Sequence, residues 1–238
     1  MNGSLLDTVS EAPRALTVAV AALAVSAALL LPAPATGATY EFKLYGMDCE
    51  ACEPKAVELF EGVDGIVNPV VSFAESGGTF EGPDAINRDA LKQALATGGY
   101  ELLFPGEKLI LPLTEEERKG LDIQIVSVGE KVDLEKYMPE GRITIVDYYA
   151  DWCKPCKILT PKIERLLLED ERLVLRKIDL VDWKSDASKQ ATKDFQISGL
   201  PFVRVFGPDG ALLGEVKGNY IDKVRAVIAR ADAKGEKS

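Results

Sequence analysis

At 238 residues the chain is long enough for two small domains, and its 47% hydrophobic share is ordinary for globular protein once one N-terminal stretch is set aside. A formal net charge of -10 and a pI near 4.7 argue against nucleic acid or an anionic membrane surface as a partner, because either would be repelled. The chain contains no histidine, which excludes, within this one chain, a Ser-His-Asp triad, a Cys-His catalytic pair and a zinc site with imidazole ligands.

Residues 15–31 carry no charge, and Ala33-Pro34-Ala35 behind them fits the A-x-A pattern of a signal-peptidase site. Asp7 and Glu11 outweigh the single Arg14, so the positive segment expected ahead of a signal's apolar run is weak. Residues 1–35 are therefore expected to be a signal peptide, with an uncleaved N-terminal apolar helix acting as membrane anchor as the alternative. Either places the remainder in a periplasmic or other extracytoplasmic compartment, secreted or anchored.

The next elements run from residue 40 to 104. Residues 40–45 alternate as a half-buried strand does, and Gly46-Met47-Asp48-Cys49-Glu50-Ala51-Cys52 leads into a helical pattern at Ala56, Val57, Leu59 and Phe60. The first CxxC pair thus lies on a strand-to-helix loop. Residues 66–73 read as a strand whose Pro69 demands an edge position or a bulge. A short strand at 79–81 follows, and Asp84 is expected to begin a second helix with Leu91, Ala94 and Leu95 on one face. Gly98-Gly99 ends it, and residues 100–104 supply a last strand. The order βαββαβ is the ferredoxin-like, α+β arrangement, with helices on one face of an antiparallel sheet.

This segment resembles the heavy-metal-associated (HMA) domain of copper chaperones, copper-pump N-termini and periplasmic mercury-binding proteins. Residues 46–52 stand where that family has G-M-x-C-x-x-C, and Gly99-Tyr100 matches its glycine-aromatic pair. The resemblance implies that Cys49 and Cys52 ligate a soft ion such as Cu(I) or Hg(II). The residues alone leave metal binding, redox exchange and a structural disulfide open.

Residues 105–121, with two prolines, two glycines and the charge run 115–119, read as a linker. From residue 122 to 233 strands alternate with helices: strand 123–128, a short helix at 133–137, and strand 143–149, rich enough in β-branched and aromatic residues to be central. A helix follows with Ile158, Leu159, Ile163, Leu166 and Leu167 on its apolar face and Pro161 inside it. Strand 173–180, a helix with Ala187, Ala191 and Phe195, strands 202–206 and 212–216, and a closing helix with Ile221, Val224 and Ile228 complete an α/β mixed sheet with helices on both faces. Residues 234–238 are a tail.

This second part resembles thioredoxin. Trp152-Cys153-Lys154-Pro155-Cys156 is its W-C-x-x-C, Pro161 its helix proline, Asp147 its buried acid and Pro201 its cis-proline, while Leu175 stands on the strand where thioredoxin places a lysine near the acid. The sequence around Trp152 and the Gly199-Leu200-Pro201 loop are most similar to periplasmic electron-passing domains of the DsbD C-terminal or TlpA-like type. The resemblance implies a thioredoxin fold and a thiol-disulfide oxidoreductase that needs no cofactor. Cys153, at a helix N-terminus beside Lys154, would attack a client disulfide, Cys156 would resolve the mixed disulfide, and Asp147 would take the Cys156 proton. Trp152, Leu200 and Pro201 would contact the client. The implied partners are client proteins with disulfides and an electron-donor thiol protein.

The sequence thus reads as an exported, reducing oxidoreductase with a soft-metal-binding domain attached. The alternative is a copper or other heavy-metal delivery protein whose thioredoxin domain keeps metal-site cysteines reduced. Two CxxC pairs on one chain also admit a relay of electrons from Cys49 and Cys52 to Cys153 and Cys156.

Overall fold

In the computed structural model, which describes residues 37–235, the hydrophobic alternation of the sequence resolves into two sheets, and these residues belong to one compact unit. The expected signal or anchor at 1–35 and the end of the tail lie outside the described residues. No helix among the described residues is long and apolar enough to cross a membrane.

The first region comprises β1 (Ala38–Tyr45), α1 (Glu53–Glu61), β2 (Val67–Ser72), β3 (Gly77–Gly82), α2 (Arg88–Thr97) and β4 (Glu101–Leu103). Its sheet runs β2-β3-β1-β4 with every neighbour antiparallel. Strand alternation puts Phe42 and Leu44 inside and Glu41 and Lys43 outside. Both helices therefore cover one face, where Phe60 of α1 and Leu91 and Leu95 of α2 share a core with Phe42 and Phe80. Each such fully buried side chain stabilises the fold by roughly 1.5–3 kcal/mol.

Two details refine the sequence reading. β2 is an edge strand and also carries a register shift between Val67 and Val70, the interval that contains Pro69, so the proline removes no interior ladder bond. The second helix starts at Arg88 rather than Asp84, because the Asn87 side chain accepts from the Ala90 amide at 3.0 Å and caps it there. The Asp84 carbonyl is instead held in a loop by the Tyr40 hydroxyl, at 3.0 Å.

In the connecting segment, α3 (Glu115–Arg118) is closed by a capping box between Thr114 and Glu117. The second region follows: β5 (Ile123–Val128), β6 (Ile143–Tyr149), α4 (Lys154–Glu169), β7 (Leu173–Asp179), α5 (Asp186–Phe195), β8 (Phe202–Phe206), β9 (Leu212–Lys217), α6 (Ile221–Ile228) and α7 (Arg230–Gly235). The sheet order is β5-β7-β6-β8-β9, parallel across β5, β7 and β6 and antiparallel across β8 and β9. Alternation along the central β6 divides its residues between two cores. Ile143 and Ile145 pack with Leu159 and Ile163 of α4, and Val146 and Tyr148 pack with Ala187 and Ala191 of α5. Asp147 shares the phase of Ile143 and Ile145, so the strand delivers it to the α4 side.

Helix α4 also seats the rest of the chain. Glu101 of β4 pairs with Lys162 at 2.6 Å, the Leu111 carbonyl accepts from Arg165 at 3.1 Å, and Arg118 pairs with Glu164 at 2.6 Å.

Candidate active site

Strand β6 ends at Tyr149, and the next turn brings Cys153 to the N-cap of α4 and Cys156 into its first turn. The two form a disulfide, and both are buried, at 3% and 2% exposure. The Cys156 amide donates to Cys153 Sγ at 3.2 Å as well as to the Cys153 carbonyl at 3.1 Å, so an N–H at the helix start already faces the sulfur that would carry negative charge after reduction.

On β6, six residues before Cys153, Asp147 is completely buried. Its Oδ2 accepts from the Thr160 hydroxyl at 2.8 Å, while Oδ1 has no hydrogen-bond partner among the described residues. Burial pushes its pKa up to about 6, against smaller lowering by Lys177 and Thr160 and with some raising by Glu164. The lysine near the acid is Lys177, which lies opposite Asp147 in the parallel β6/β7 register, whereas Leu175 lies opposite Ile145 in the core. Lys177 stands 3.7 Å from the buried Glu164 carboxylate and over the Tyr149 ring. A cavity of about 290 Å³ opens beside this group, lined by Cys156, Thr160, Glu164, Lys177 and, from the connecting segment, Pro112 and Arg118.

The Leu200-Pro201 peptide bond is cis. Leu200 packs on Ala150, Cys153 and Cys156, and the Pro201 carbonyl accepts from the Gly218 amide at 2.8 Å. Trp152 is 52% exposed; its indole donates to the Val181 carbonyl at 2.7 Å, and its ring meets exposed Trp183 at 6.2 Å.

The other sequence-chosen pair, Cys49 and Cys52, is a pair of free thiols, with Cys49 exposed and Cys52 half-buried. Three carboxylates surround their loop, but two are engaged. Asp48 pairs with Lys154 at 2.5 Å, and Glu53 accepts from the Phe73 amide at 2.7 Å. Backbone hydrogen bonds from Asp48 and Cys49 hold the Cys52 thiol below its ordinary value, with help from the Lys154 charge. Among the described residues no group of three or more Cys, Asp or Glu could surround a metal ion.

Residues 127–230 match the family model described as Thioredoxin. They form a thioredoxin domain. Thioredoxin-T of Drosophila melanogaster is 29% identical over 109 residues, a stretch that covers 44% of this chain and 66% of that protein. The Echinococcus granulosus thioredoxin is 27% identical over 109 residues, covering 44% of this chain and 96% of its own length. The X-ray structure of Fasciola hepatica thioredoxin is 28% identical, covers 45% of this chain and 99% of that one, and superposes with a TM-score of 0.38.

The thioredoxin domain is that of a thiol-disulfide oxidoreductase. Its fold seats Ala150 and Leu200 against the Cys153–Cys156 disulfide, ties Asp147 to the same helix through Thr160, and leaves Trp152 exposed. Sequence reasoning missed Thr160, Glu164 and Lys177. Thr160 lies one helical turn after Cys156, a visible clue, but the position of Lys177 depends on a strand register that the sequence does not state.

Proposed function

We propose that the chain is an exported protein-disulfide reductase in which the thioredoxin domain exchanges the Cys153–Cys156 disulfide with client proteins. The observation that carries this reading is the buried disulfide at the start of α4, with a buried and unusually basic carboxyl, Asp147, bonded to the same helix through Thr160. In the reduced enzyme, Cys153 thiolate attacks a client disulfide and forms a mixed disulfide. Cys156 then attacks Cys153 Sγ, the client leaves as its thiol, and Asp147, joined to α4 by the Thr160 hydroxyl one turn after Cys156, accepts the Cys156 proton. Trp152, Leu200 and the backbone at Pro201 offer the client a contact surface. An electron-donor thiol protein then restores the dithiol.

Export rests on the uncharged run 15–31 and the A-x-A site behind it, and gives a periplasmic or other extracytoplasmic location, with or without an N-terminal anchor. The Lys154-Pro155 dipeptide lacks the histidine of strongly oxidising relatives, so the potential should fall nearer to about -270 mV than to about -120 mV. The test is insulin-disulfide reduction with dithiothreitol. The wild-type chain should accelerate it and Cys153→Ser should abolish it; equal rates from both would overturn the reading. A glutathione titration followed on the Cys153–Cys156 peptide gives the direction.

A second reading concerns the first region, which we take to be a ferredoxin-like, HMA-type domain. The strand order β2-β3-β1-β4, two helices on one face and the Gly46-Met47-x-Cys49-x-x-Cys52 loop support it. Cys49 and Cys52 would hold a two-coordinate soft ion such as Cu(I), and the Lys154 ammonium at 3.9 Å from Cys52 Sγ would offset the charge of the dithiolate. In that case the thioredoxin domain serves a metal-delivery protein by keeping such thiols reduced. Titration of Cu(I) into a Cys153→Ser/Cys156→Ser variant decides it: tight binding that is lost on replacing Cys49 and Cys52 supports the reading, and no tight binding removes it.

A further inference from the structure

The loop that carries Cys49 and Cys52 ends against the first turn of α4, the turn that carries the disulfide. Lys154 touches both sides: it follows Cys153 in the chain, pairs with Asp48 at 2.5 Å, and places its Nζ 3.9 Å from Cys52 Sγ. The contact is a fitted one. Gly99 has φ +82, and a Cβ on it would stand 2.6 Å from Lys154 Cβ and 3.2 Å from the Pro155 ring, so its bare backbone lies directly on the Lys154-Pro155 segment. About two helical turns further along α4, the Glu101–Lys162 pair, with side chains only 14% and 13% exposed, fixes the first region a second time. The Tyr100 hydroxyl donates to the Cys52 carbonyl at 3.3 Å and ties that cysteine to the segment between Gly99 and Glu101 that meets α4. Cys49 lies on the exposed side of the loop. The structure holds Cys49 and Cys52 as thiols and Cys153 and Cys156 as a disulfide, the reactants of an exchange.

We infer that Cys49 and Cys52 are a built-in electron donor to the Cys153–Cys156 disulfide, with Cys52 as the attacking thiol. The inference rests on the reading of Cys153–Cys156 as a redox centre. Cys52 sulfur bonds to Cys153 sulfur as the Cys153–Cys156 bond breaks, and the Cys52 proton passes to the departing Cys156. Cys49 then attacks Cys52, forming a Cys49–Cys52 disulfide and releasing Cys153 as a thiol. Two electrons and two protons cross between the regions, and an external dithiol reductant returns Cys49 and Cys52 to the start. Cys153 is only 3% exposed, so a thiol already seated against α4 has an advantage over one that must diffuse in.

The test uses the full chain with Cys49→Ser and Cys156→Ser, which leaves Cys52 and Cys153. The variant is reduced, freed of reductant and exposed to glutathione disulfide, and the products are read by alkylation, intact mass and peptide mapping. Matching wild-type tryptophan fluorescence checks that it is folded. An intramolecular Cys52–Cys153 bridge should form at a rate independent of protein concentration over a roughly tenfold range, and about tenfold faster than Cys49–Cys153 in a Cys52→Ser/Cys156→Ser variant. Absence of the bridge while wild-type chain still reduces insulin overturns the relay and leaves the reductase reading standing. An equally fast Cys49–Cys153 bridge overturns the assignment of Cys52. Loss of both the bridge and wild-type insulin reduction removes both proposals.

Discussion

Replacing Asp147 with Asn should stabilise the oxidised protein in alkaline solution and do little in acid. Asp147 is fully buried and its carboxyl is moved from 3.8 to about 6. The folded chain therefore holds this proton more tightly than the unfolded chain does, so ionisation is what folding penalises. The cost is nearly absent below pH about 4, grows between about 4 and 6, and is complete above, where it reaches about 3 kcal/mol. Lys177 offsets part of it and Glu164 adds to it, but burial dominates. Asn fills the same space without a charge, and its amide can keep a partner in the Thr160 hydroxyl. Urea unfolding of the oxidised wild-type and variant chains at pH 4 and pH 8 reads the difference directly. The stabilisation by Asp147→Asn should be larger at pH 8 by about 2–3 kcal/mol. The same effect at both pH values, or a loss at pH 8, would show that Asp147 is not held against its charge. The same variant should slow release of clients from the mixed disulfide, since Cys156 loses its proton acceptor.

Thr160→Val and Lys177→Met each remove a group that lowers the Asp147 pKa, so each should raise it further, as read by carboxyl carbon NMR. Gly99→Ala puts a methyl group into Lys154 and a side chain at φ +82, and should loosen the first region from α4, seen as faster trypsin cleavage in the 105–121 segment. Lys162→Met strands a mostly buried Glu101 carboxylate and should cost about 1–3 kcal/mol, with a double-mutant cycle against Glu101→Gln recovering part of it. Phe60→Ala empties the centre of the first core, where Phe42 and Phe80 rings lie 4.7 and 5.5 Å away, and should cost about 3–5 kcal/mol in urea unfolding.

Much of this architecture can be read from the sequence, because period-two alternation at 40–45 and the apolar run at 143–149 state locally which faces are buried. An aspartate inside such a run, six residues before Cys153, already marks itself as a buried acid. What escapes is what depends on neighbours distant in the chain. Leu175 and Lys177 have equal claim to the space beside Asp147 until the β6/β7 register pairs the acid with Lys177. In the connecting segment Leu111 and Leu113 are the same residue on either side of Pro112, yet Ile110 and Leu111 are 42% and 59% exposed and Leu113 only 6%. The Asp48–Lys154 contact joins residues about a hundred positions apart, and no local pattern announces it.

The pairing of Arg118 with Glu164 bears on how this protein is to be dissected. Glu164 is 1% exposed and its carboxylate touches two cations, Arg118 at 2.6 Å and Lys177 at 3.7 Å. A fragment cut at the start of β5 loses the nearer cation, along with Pro112 from the cavity wall and Glu117 from Arg165. Lys177 would turn toward the carboxylate it alone must satisfy, away from Asp147. The excised fragment would thus be a different acid from the intact one, with its proton acceptor retuned by the missing polypeptide. Kinetic constants measured on it would describe the scissors as much as the enzyme.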